Sequence, residues 1–242
     1  MQLQSPYASA CLLSYQRPGF LETAITSLLT TANAPLELIV HDDGSLDTDC
    51  RRVIGRYFDA GLISSVILGA PGNNEGVGRA MNRCFAVATG DPLIKIDQDL
   101  MFKDDWLATV RRLLEANSEI GLLSGFKYWH EPCDWRQTLL AQHDGWEEHE
   151  IIMGSFMAVR RSCWEELGPF EEHSDAFAED NVFQRLVTAH DFWVCGTPST
   201  DLMENYGYGV GPSTVVPNHG EVTAIKHGPL NIDRNTAIPV RT

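Results

Sequence analysis

The sequence predicts an α/β fold in which a mainly parallel sheet carries helices on both faces. Short apolar runs alternate along the chain with amphipathic segments of about 10 to 15 residues, a pattern typical of successive β-α-β units. The composition, 43% hydrophobic and 21% charged residues, is that of a globular protein. Several apolar runs end in carboxylate-bearing turns. Because parallel strands end at one edge of a sheet, these turns are expected to converge on a single ligand site.

The first half of the chain divides into alternating strands and helices. Pro18 suits the first turn of the first helix, and Val53, Ile54, Tyr57 and Phe58 give the second helix an apolar face. A loop rich in Gly and Asn, residues 69–78, opens a third helix that continues to residue 88. The other predicted elements are strands at 7–14, 36–41, 65–68, 92–97 and 120–125 and helices at 20–30, 47–59 and 104–117.

The second half is less regular. Residues 126–150 are rich in Trp, His and Asp without a clean period, so we predict a substrate-facing insertion or loop. A weakly alternating strand at 151–159 and a short helix at 162–167 follow. A helix then runs to about residue 189, a last strand occupies 192–195, and an irregular tail that wraps the domain or acts as a lid begins at 197. The inward residues predicted for this last helix are Val182, Phe183, Leu186 and Val187.

Charge and cysteine usage limit the classes of function. The chain has 33 acidic against 18 basic residues, a net charge of −15, which disfavours broad binding to nucleic acid. The 6 cysteines show no C-x-x-C spacing, which argues against a zinc site or a disulfide framework. No signal peptide or membrane-spanning run is apparent, so we expect a cytoplasmic protein without a transmembrane segment.

The run from 92 to 100 is the centre of the functional prediction. Its apolar part is interrupted after Ile96 by two carboxylates, Asp97 and Asp99, separated by one residue. Two carboxylates held this close repel each other, and a divalent cation with oxygen ligands relieves the repulsion. We therefore predict a site for Mn²⁺ or Mg²⁺ and a diphosphate at this strand end, although a D-x-D sequence alone is also compatible with a solvated turn.

Four motifs in order then resemble those of family 2 glycosyltransferases with the Rossmann-like GT-A fold. Their order and spacing match from residue 9 to about 195. The resemblance implies a nucleotide-sugar-binding half at 1–125 and, in the same domain, an acceptor-binding half with an irregular C-terminal region at 126–242. The motifs are S-Y-Q-R-P at 14–18, H-D-D-G-S at 41–45, N-E-G-V-G-R-A-M-N at 74–82 with A-T-G-D at 88–91, and E-D at 179–180.

The resemblance also implies roles in binding the nucleotide-sugar donor. Asp43, or its neighbour Asp42, would accept hydrogen bonds from the base, while Tyr15 and Arg17 would line the base and ribose pocket. Asp97 would lie near the ribose. Arg79 would contact the diphosphate or, equally well, form an ion pair on the helix surface. The complete set of expected donor-binding residues is Ser14, Tyr15, Arg17, Asp42, Asp43, Gly76, Arg79 and Asp97.

The chemistry implied is inverting transfer of a sugar, of the hexosyltransferase type, to an acceptor hydroxyl. Asp180 would be the general base, its acidity tuned by Glu179, although both could simply cap the helix that follows. Asp99, with Asp97, would hold the metal. The third metal ligand is left open among His219, His227 and Glu204. The acceptor is also open: a saccharide, a lipid-linked group, a protein or a modified base. A stacking role on the acceptor or a packing role is open for Trp129, Trp135 and Trp146.

Two other functions fit parts of this pattern. A sugar nucleotidyltransferase would open with a G-x-G-x-R loop after the first strand, where this chain has S-Y-Q-R-P. A non-catalytic sugar- or nucleotide-binding module would be expected to lose the metal or base carboxylates, yet Asp97, Asp99 and Asp180 are all present. The sequence therefore favours the transferase.

Overall fold

The computed structural model describes residues 7–127, 129–130, 133–172 and 179–205, with the backbone alone at 129–130 and 133–135. The helices are α1 (Pro18–Thr31), α2 (Thr48–Asp59), α3 (Val77–Val87), α4 (Trp106–Ala116), α5 (Arg161–Leu167) and α6 (Glu179–Thr188). The strands are β1 (Ser9–Ser14), β2 (Glu37–Asp42), β3 (Ser65–Leu68), β4 (Leu93–Asp97), β5 (Leu100–Phe102), β6 (Ile120–Ser124), β7 (Trp129–His130), β8 (Cys133–Asp134), β9 (Leu139–His143), β10 (Trp146–His149), β11 (Phe156–Val159), β12 (Val194–Pro198) and β13 (Met203–Asn205).

One sheet of 9 strands organises the molecule, in the order β3-β2-β1-β4-β11-β6-β12-β10-β9. Strands β3, β2, β1 and β4 are parallel, whereas β11 and β10 run antiparallel to their neighbours. The chain moves outward from β1 to β3 and then returns to place β4 on the other side of β1. This reversal makes the carboxyl ends of β1 and β4 a topological switch point, where open α/β sheets bind ligands.

Alternation along the central strands assigns side chains to two cores. In β1, Ala10 and Leu12 face the core packed by α1, α2 and α4, while Cys11 and Leu13 face the core packed by α3, α5 and α6. All six residues of β1 are buried, as expected for a strand covered on both faces. Burying a side chain such as Leu12 contributes about 1.5 to 3 kcal/mol, so these two cores hold the strand ends in place.

Residues 126–150 differ from the sequence prediction of a loop. Strands β9 and β10 in this segment form a hairpin that extends the main sheet beyond β12. Their period was hard to recognise because polar side chains are buried here: Glu147 and His149 are 7% and 2% exposed. Strand β11, predicted as a longer strand at 151–159, is inserted antiparallel between β4 and β6. Neither its direction nor its position follows from a local pattern.

Two predicted helix faces also need correction. Phe58 at the end of α2 is 47% exposed, and Leu186 in α6 is 43% exposed. Gln184 is buried instead, where its Oε1 accepts a hydrogen bond of 2.7 Å from the Ile152 backbone N–H. A buried backbone donor that needs a partner explains this polar side chain on the inner face. Beyond residue 197, β13 pairs with β5, so the start of the expected irregular tail is ordered.

None of the helices in the described part of the chain has the length and apolar character needed to span a bilayer.

Candidate active site

The carboxyl ends of β1, β2 and β4 bring three of the predicted motifs to one edge of the sheet. Ser14 at the end of β1 lies opposite Asp42 at the end of β2, and Leu13 lies opposite Asp97 at the end of β4. Residues that are 28 and 84 residues apart along the chain are therefore neighbours in the sheet (42 − 14 and 97 − 13). The sheet register thus brings together Ser14, Asp42 and Asp97, three of the residues predicted to bind the donor.

The turn after β1 is held in an uncommon conformation. Gln16 and Arg17 both have a positive φ, at 56° and 57°, a region that residues other than glycine rarely occupy. The turn is fastened to the β2–α2 loop, because the Gln16 N–H donates to Ser45 Oγ at 2.7 Å and its carbonyl accepts from Cys50 Sγ at 3.0 Å. Such strain persists where surrounding contacts determine it, as is common at functional sites. The turn presents Tyr15, which is 38% exposed, beside the sheet edge.

The two aspartates after β2 have different environments. Asp42 is completely buried, where it accepts hydrogen bonds from the backbone N–H and hydroxyl of Ser45. Asp43 is 7% exposed, and its carboxylate accepts one bond of 3.0 Å from each of the Glu75 and Gly76 N–H groups. Of the two candidates for contact with a nucleotide base, only Asp43 retains any exposed surface. It also anchors the Gly-rich loop.

Three further residues of the predicted motifs, Gly44, Arg79 and Ser14, differ in their surroundings. Gly44 has φ +78°, and a Cβ there would lie 2.5 Å from the Ala70 carbonyl oxygen, so only glycine fits without displacement. Arg79, for which a diphosphate contact and an ion pair were both open, forms an ion pair with Glu172, 3.2 Å from Nε to Oε2. Ser14, another predicted contact, is 2% exposed with no hydrogen-bond partner for its hydroxyl among the described residues.

Gln98, the middle residue of the D-x-D turn, connects this turn to the one after β1. The sequence analysis gave Gln98 no role. Gln98 Nε2 donates to the Tyr15 carbonyl oxygen at 2.8 Å, and its Oε1 accepts from the Tyr15 N–H at 3.3 Å. Gln98 is 9% exposed. This pair of bonds fixes Tyr15 relative to Asp97 and Asp99. The signal for Gln98 in the sequence is its polar side chain between two aspartates.

Asp99 has the character of a metal ligand. Its Oδ1 is buried without a hydrogen-bond partner among the described residues, and its Oδ2 lies 3.7 Å from Arg17 Nη1. Burial, followed by repulsion from Asp97, raises the pKa of Asp99 to about 6. A carboxylate so disfavoured in its charged form, with an unsatisfied oxygen, fits a divalent cation with oxygen ligands.

The described residues supply only part of a coordination shell. Among residues 7–127, 129–130, 133–172 and 179–205, no three His, Cys, Asp or Glu side chains are grouped to hold a metal ion. One or two carboxylates completed by substrate phosphates and waters is the usual arrangement for Mg²⁺. Asp97 and Asp99 fit that arrangement.

A buried lysine lies next to the D-x-D pair and was given no role in the sequence analysis. Lys95 is 3% exposed, and its Nζ lies 2.7 Å from Asp97 Oδ1 and donates to the Gly154 carbonyl oxygen at 2.7 Å. Burial opposes the charge, but the carboxylates of Asp97 and Asp180 outweigh it and raise the pKa of Lys95. A lysine inside an apolar strand was the signal for this residue, because lysine is almost never fully buried unless paired.

The acidic pair at the start of α6 reaches the same edge. Asp180 Oδ1 accepts a bond of 2.8 Å from the Asn181 N–H, and its Oδ2 lies against Gly154, where a Cβ would be only 1.8 Å away. Glu179 is 7% exposed, and burial, with a further contribution from Asp180, raises its pKa. Carboxylates at a helix N-terminus are favoured by the helix dipole, yet the charge of Asp180 also helps to raise the pKa of Lys95 beside the D-x-D turn.

The remaining candidates have varied outcomes. His219 and His227 lie outside the described residues, as do the side chains of Trp129 and Trp135. Trp146 is 1% exposed and stacks on His143, with ring centroids 4.0 Å apart, so it packs in the core. Glu204 on β13 is the remaining candidate for the third metal ligand, and it has a basic partner. The distance from Lys103 Nζ to Glu204 Oε1 is 3.6 Å.

Solved structures identify the class of fold. The mannosyltransferase PcManGT from Pyrobaculum calidifontis, in complex with GDP-Man and Mn²⁺, superposes with a TM-score of 0.65 at 20% identity, over 84% of this chain and 58% of that chain. S. aureus TarS 1–349 in complex with UDP-GlcNAc gives a TM-score of 0.63 at 15% identity, over 81% and 57% of the two chains. The fold is that of the GT-A glycosyltransferases.

The family follows from the sequence model described as Glycosyl transferase family 2, which matches residues 9–168. The chain belongs to this family. A glucosyl-dolichyl phosphate glucuronosyltransferase of Haloferax volcanii is 25% identical over 201 residues, 76% of this chain and 60% of the relative. An uncharacterized glycosyltransferase of Nostoc sp. is 28% identical over 115 residues, 48% of this chain and 35% of the relative. The chain thus spans 60% or less of the length of these relatives.

Proposed function

We propose that the protein is a metal-assisted, inverting glycosyltransferase that moves a sugar from a nucleotide-diphosphate sugar to an acceptor hydroxyl. One observation carries the proposal: the D-x-D carboxylates at the end of β4 and the Asp180 carboxylate at the start of α6 meet at one edge of the sheet. Lys95 and Gly154 lie between them. A donor-side acidic pair and a separate carboxylate beside it are the parts that this reaction requires.

The donor side would be formed by the turns after β1, β2 and β4. Asp43 and Tyr15 would bind the nucleoside, and Asp97 would lie near the ribose. A divalent cation held by Asp99 and Asp97, Mn²⁺ or Mg²⁺, would supply positive charge to the diphosphate as it departs. The buried, unpartnered Oδ1 of Asp99 supports this assignment. The similarity to a mannosyltransferase solved with GDP-Man and Mn²⁺ is consistent with it.

The acceptor side would use Asp180. Its carboxylate would take the proton of the acceptor hydroxyl, and the oxygen would form a bond to the anomeric carbon as the bond to the diphosphate oxygen breaks. Attack opposite the leaving group inverts that carbon. Glu179 lies beside it at the start of the same helix.

Donor binding can be tested by thermal unfolding with UDP-, GDP-, dTDP- and CMP-sugars, with and without Mn²⁺. A ligand at about 100 times its Kd stabilises the folded state by about 2.7 kcal/mol, a shift of several degrees. We expect one nucleotide to raise the melting temperature, and to do so only with metal. Asp99→Ala should abolish this shift and sugar transfer.

The matched control for this test is Asp104→Ala, which removes an exposed carboxylate of the same chain. It should leave the donor shift intact. A shift that persists without metal, or in Asp99→Ala, would contradict the metal assignment. No shift with any donor would favour a non-catalytic module on the same fold.

The base assignment has a separate test. Asp180→Asn keeps the shape of the side chain but removes its basicity, so donor binding should be almost unchanged while turnover falls by about 10² to 10⁴. Turnover is measured as release of the nucleotide diphosphate, and donor affinity by calorimetry. Asp191→Asn, at an exposed position, is the control. Full turnover by Asp180→Asn would show that another group accepts the proton.

A further inference from the structure

The most unusual buried group in the described residues is the ammonium of Lys95. Leu93 precedes it on the same face of β4 and packs in the core with α3 and α6, and Asp97 follows it on that face. Lys95 therefore points to the side of the sheet from which α6 presents Asp180. An apolar residue would be expected at this position of a central strand, so the lysine needs a specific reason.

Lys95 makes one bond to each side of the site. Its Nζ lies 2.7 Å from Asp97 Oδ1 on the donor side and donates to the Gly154 carbonyl oxygen at 2.7 Å. Gly154 in turn supports Asp180, whose Oδ2 occupies the space that a Cβ would take. The ammonium is thus a short, buried connection between one D-x-D carboxylate and the backbone beneath the candidate base.

The neighbouring backbone strengthens this connection. The Asp97 N–H donates to the Ser155 carbonyl oxygen at 2.9 Å, and β11 begins at the next residue, antiparallel to β4. The segment 152–155 is therefore fastened to the end of β4 by one backbone bond and by the Lys95 side chain. Because the ammonium has charge and several donors, it can hold both acceptors in a buried place.

We propose that Lys95 is a positioning residue that ties Asp97 to the 152–155 segment and so sets the position of Asp180 relative to the bound donor, an inference that rests on the proposed function. In this role Lys95 would act through Asp97 and Gly154 rather than on the substrate. Without the Lys95 ammonium, the carboxylates of Asp97 and Asp180 would still be present, but they would be free to shift. Misplacement of reacting groups by about 1 Å can lower a rate by about 10².

The test compares Lys95→Met with Lys103→Met, which removes a half-exposed lysine and changes the net charge equally. We expect Lys95→Met to fold, to bind donor up to about tenfold more weakly and to turn over about 100-fold more slowly. Lys95→Arg, which restores a cation with several donors, should recover most of that loss. Lys103→Met should behave like the wild type. Wild-type turnover in Lys95→Met would overturn the proposal.

A double-mutant cycle separates positioning from general loosening of the fold. If Lys95 acts through Asp180, Lys95→Met should cause little further loss of turnover in an Asp180→Asn background. Losses that multiply in the double variant would show that Lys95 is only structural, and would overturn the proposal. If Lys95→Met does not fold, Lys95→Gln replaces it throughout; turnover equal to that of the wild type would then be the contradicting result.

Hydrogen exchange tests the connection without any donor. Amide exchange in a peptide covering residues 150–156 should be several-fold faster in Lys95→Met than in the wild type and unchanged in Lys103→Met. Unchanged exchange in Lys95→Met would overturn Lys95 as the tie, whatever the activity. Faster exchange in a protein whose wild type transfers no sugar would instead count against the proposed function and leave the tie standing.

Discussion

Single residues at this sheet edge act largely by holding one another. Asp43 fastens the Gly-rich loop, Gln98 fastens Tyr15, and Lys95 fastens Gly154, each by bonds between segments distant in sequence. Each such bond contributes about 1 kcal/mol net, more where a charge takes part. The gain is modest for stability but large for function, since the position of each reacting group depends on it.

Gln98 provides a prediction at this scale. Gln98→Ala removes both bonds to Tyr15, so the nucleoside side of the site should loosen relative to the D-x-D turn. We expect donor affinity to fall about tenfold, equivalent to about 1.4 kcal/mol, measured by calorimetry with Mn²⁺ present. Gln142→Ala, on the exposed side of β9, should leave donor affinity unchanged. Equal donor affinity in Gln98→Ala and the wild type would show that this pair of bonds does not matter for binding.

At the scale of single elements, β2 contains a buried histidine, His41. His41 is completely buried, and both of its ring nitrogens are without hydrogen-bond partners among the described residues. Burial lowers its pKa, helped by Arg83 and opposed by Asp43, Asp42 and Glu75. The imidazole is therefore neutral in the folded state at a pH where it would be protonated in the unfolded chain.

This environment predicts how stability depends on pH. As pH falls through about 6.5, the unfolded chain takes up a proton at His41 that the folded protein does not, so the free energy of unfolding decreases. His41→Val removes this contribution. Between about pH 7.5 and 5.5, denaturant titrations should show a smaller loss of stability in His41→Val than in the wild type. Parallel curves for the two proteins would mean that His41 is protonated equally in both states.

At the scale of the whole molecule, the net charge of −15 affects the stability of the folded state. Self-repulsion destabilises a compact state with many like charges, and salt screens it. Raising NaCl from about 20 to about 200 mM should therefore raise the melting temperature by about 2 to 4 °C, equivalent to about 1 kcal/mol. Mn²⁺ should raise the melting temperature further only by binding at the proposed site of Asp97 and Asp99.

Asp99→Ala separates the two effects of added cations. The NaCl effect should be the same in this variant as in the wild type, because it depends on the total charge. The additional stabilisation by micromolar Mn²⁺ in the presence of donor should be lost. If both effects disappear together, the metal contribution would be general screening rather than coordination.

The sequence by itself determined the α/β class, the first-half elements other than β5 to within a few residues, and the motifs at the ends of β1, β2 and β4. Short-range patterns suffice there, because a strand buried on both faces and an amphipathic helix each leave a clear period. The resemblance to family 2 glycosyltransferases, and not these periods, implied that the D-x-D and E-D carboxylates share one site. Their order along the chain, rather than any one of them, carried that prediction.

Only the tertiary structure decided what lies between those motifs. The reversed direction of β11 brings Gly154 under Asp180 and gives Lys95 its partner, whereas Gln98 has its partner in the turn after β1. The hairpin of β9 and β10 escaped prediction because two of its buried side chains, Glu147 and His149, are polar. Strand direction and cross-strand partners depend on contacts between segments far apart in sequence, which a local period does not record. For that reason the candidate site residues were predicted from their motifs, whereas Lys95 and Gln98, which bond to their neighbours, were not.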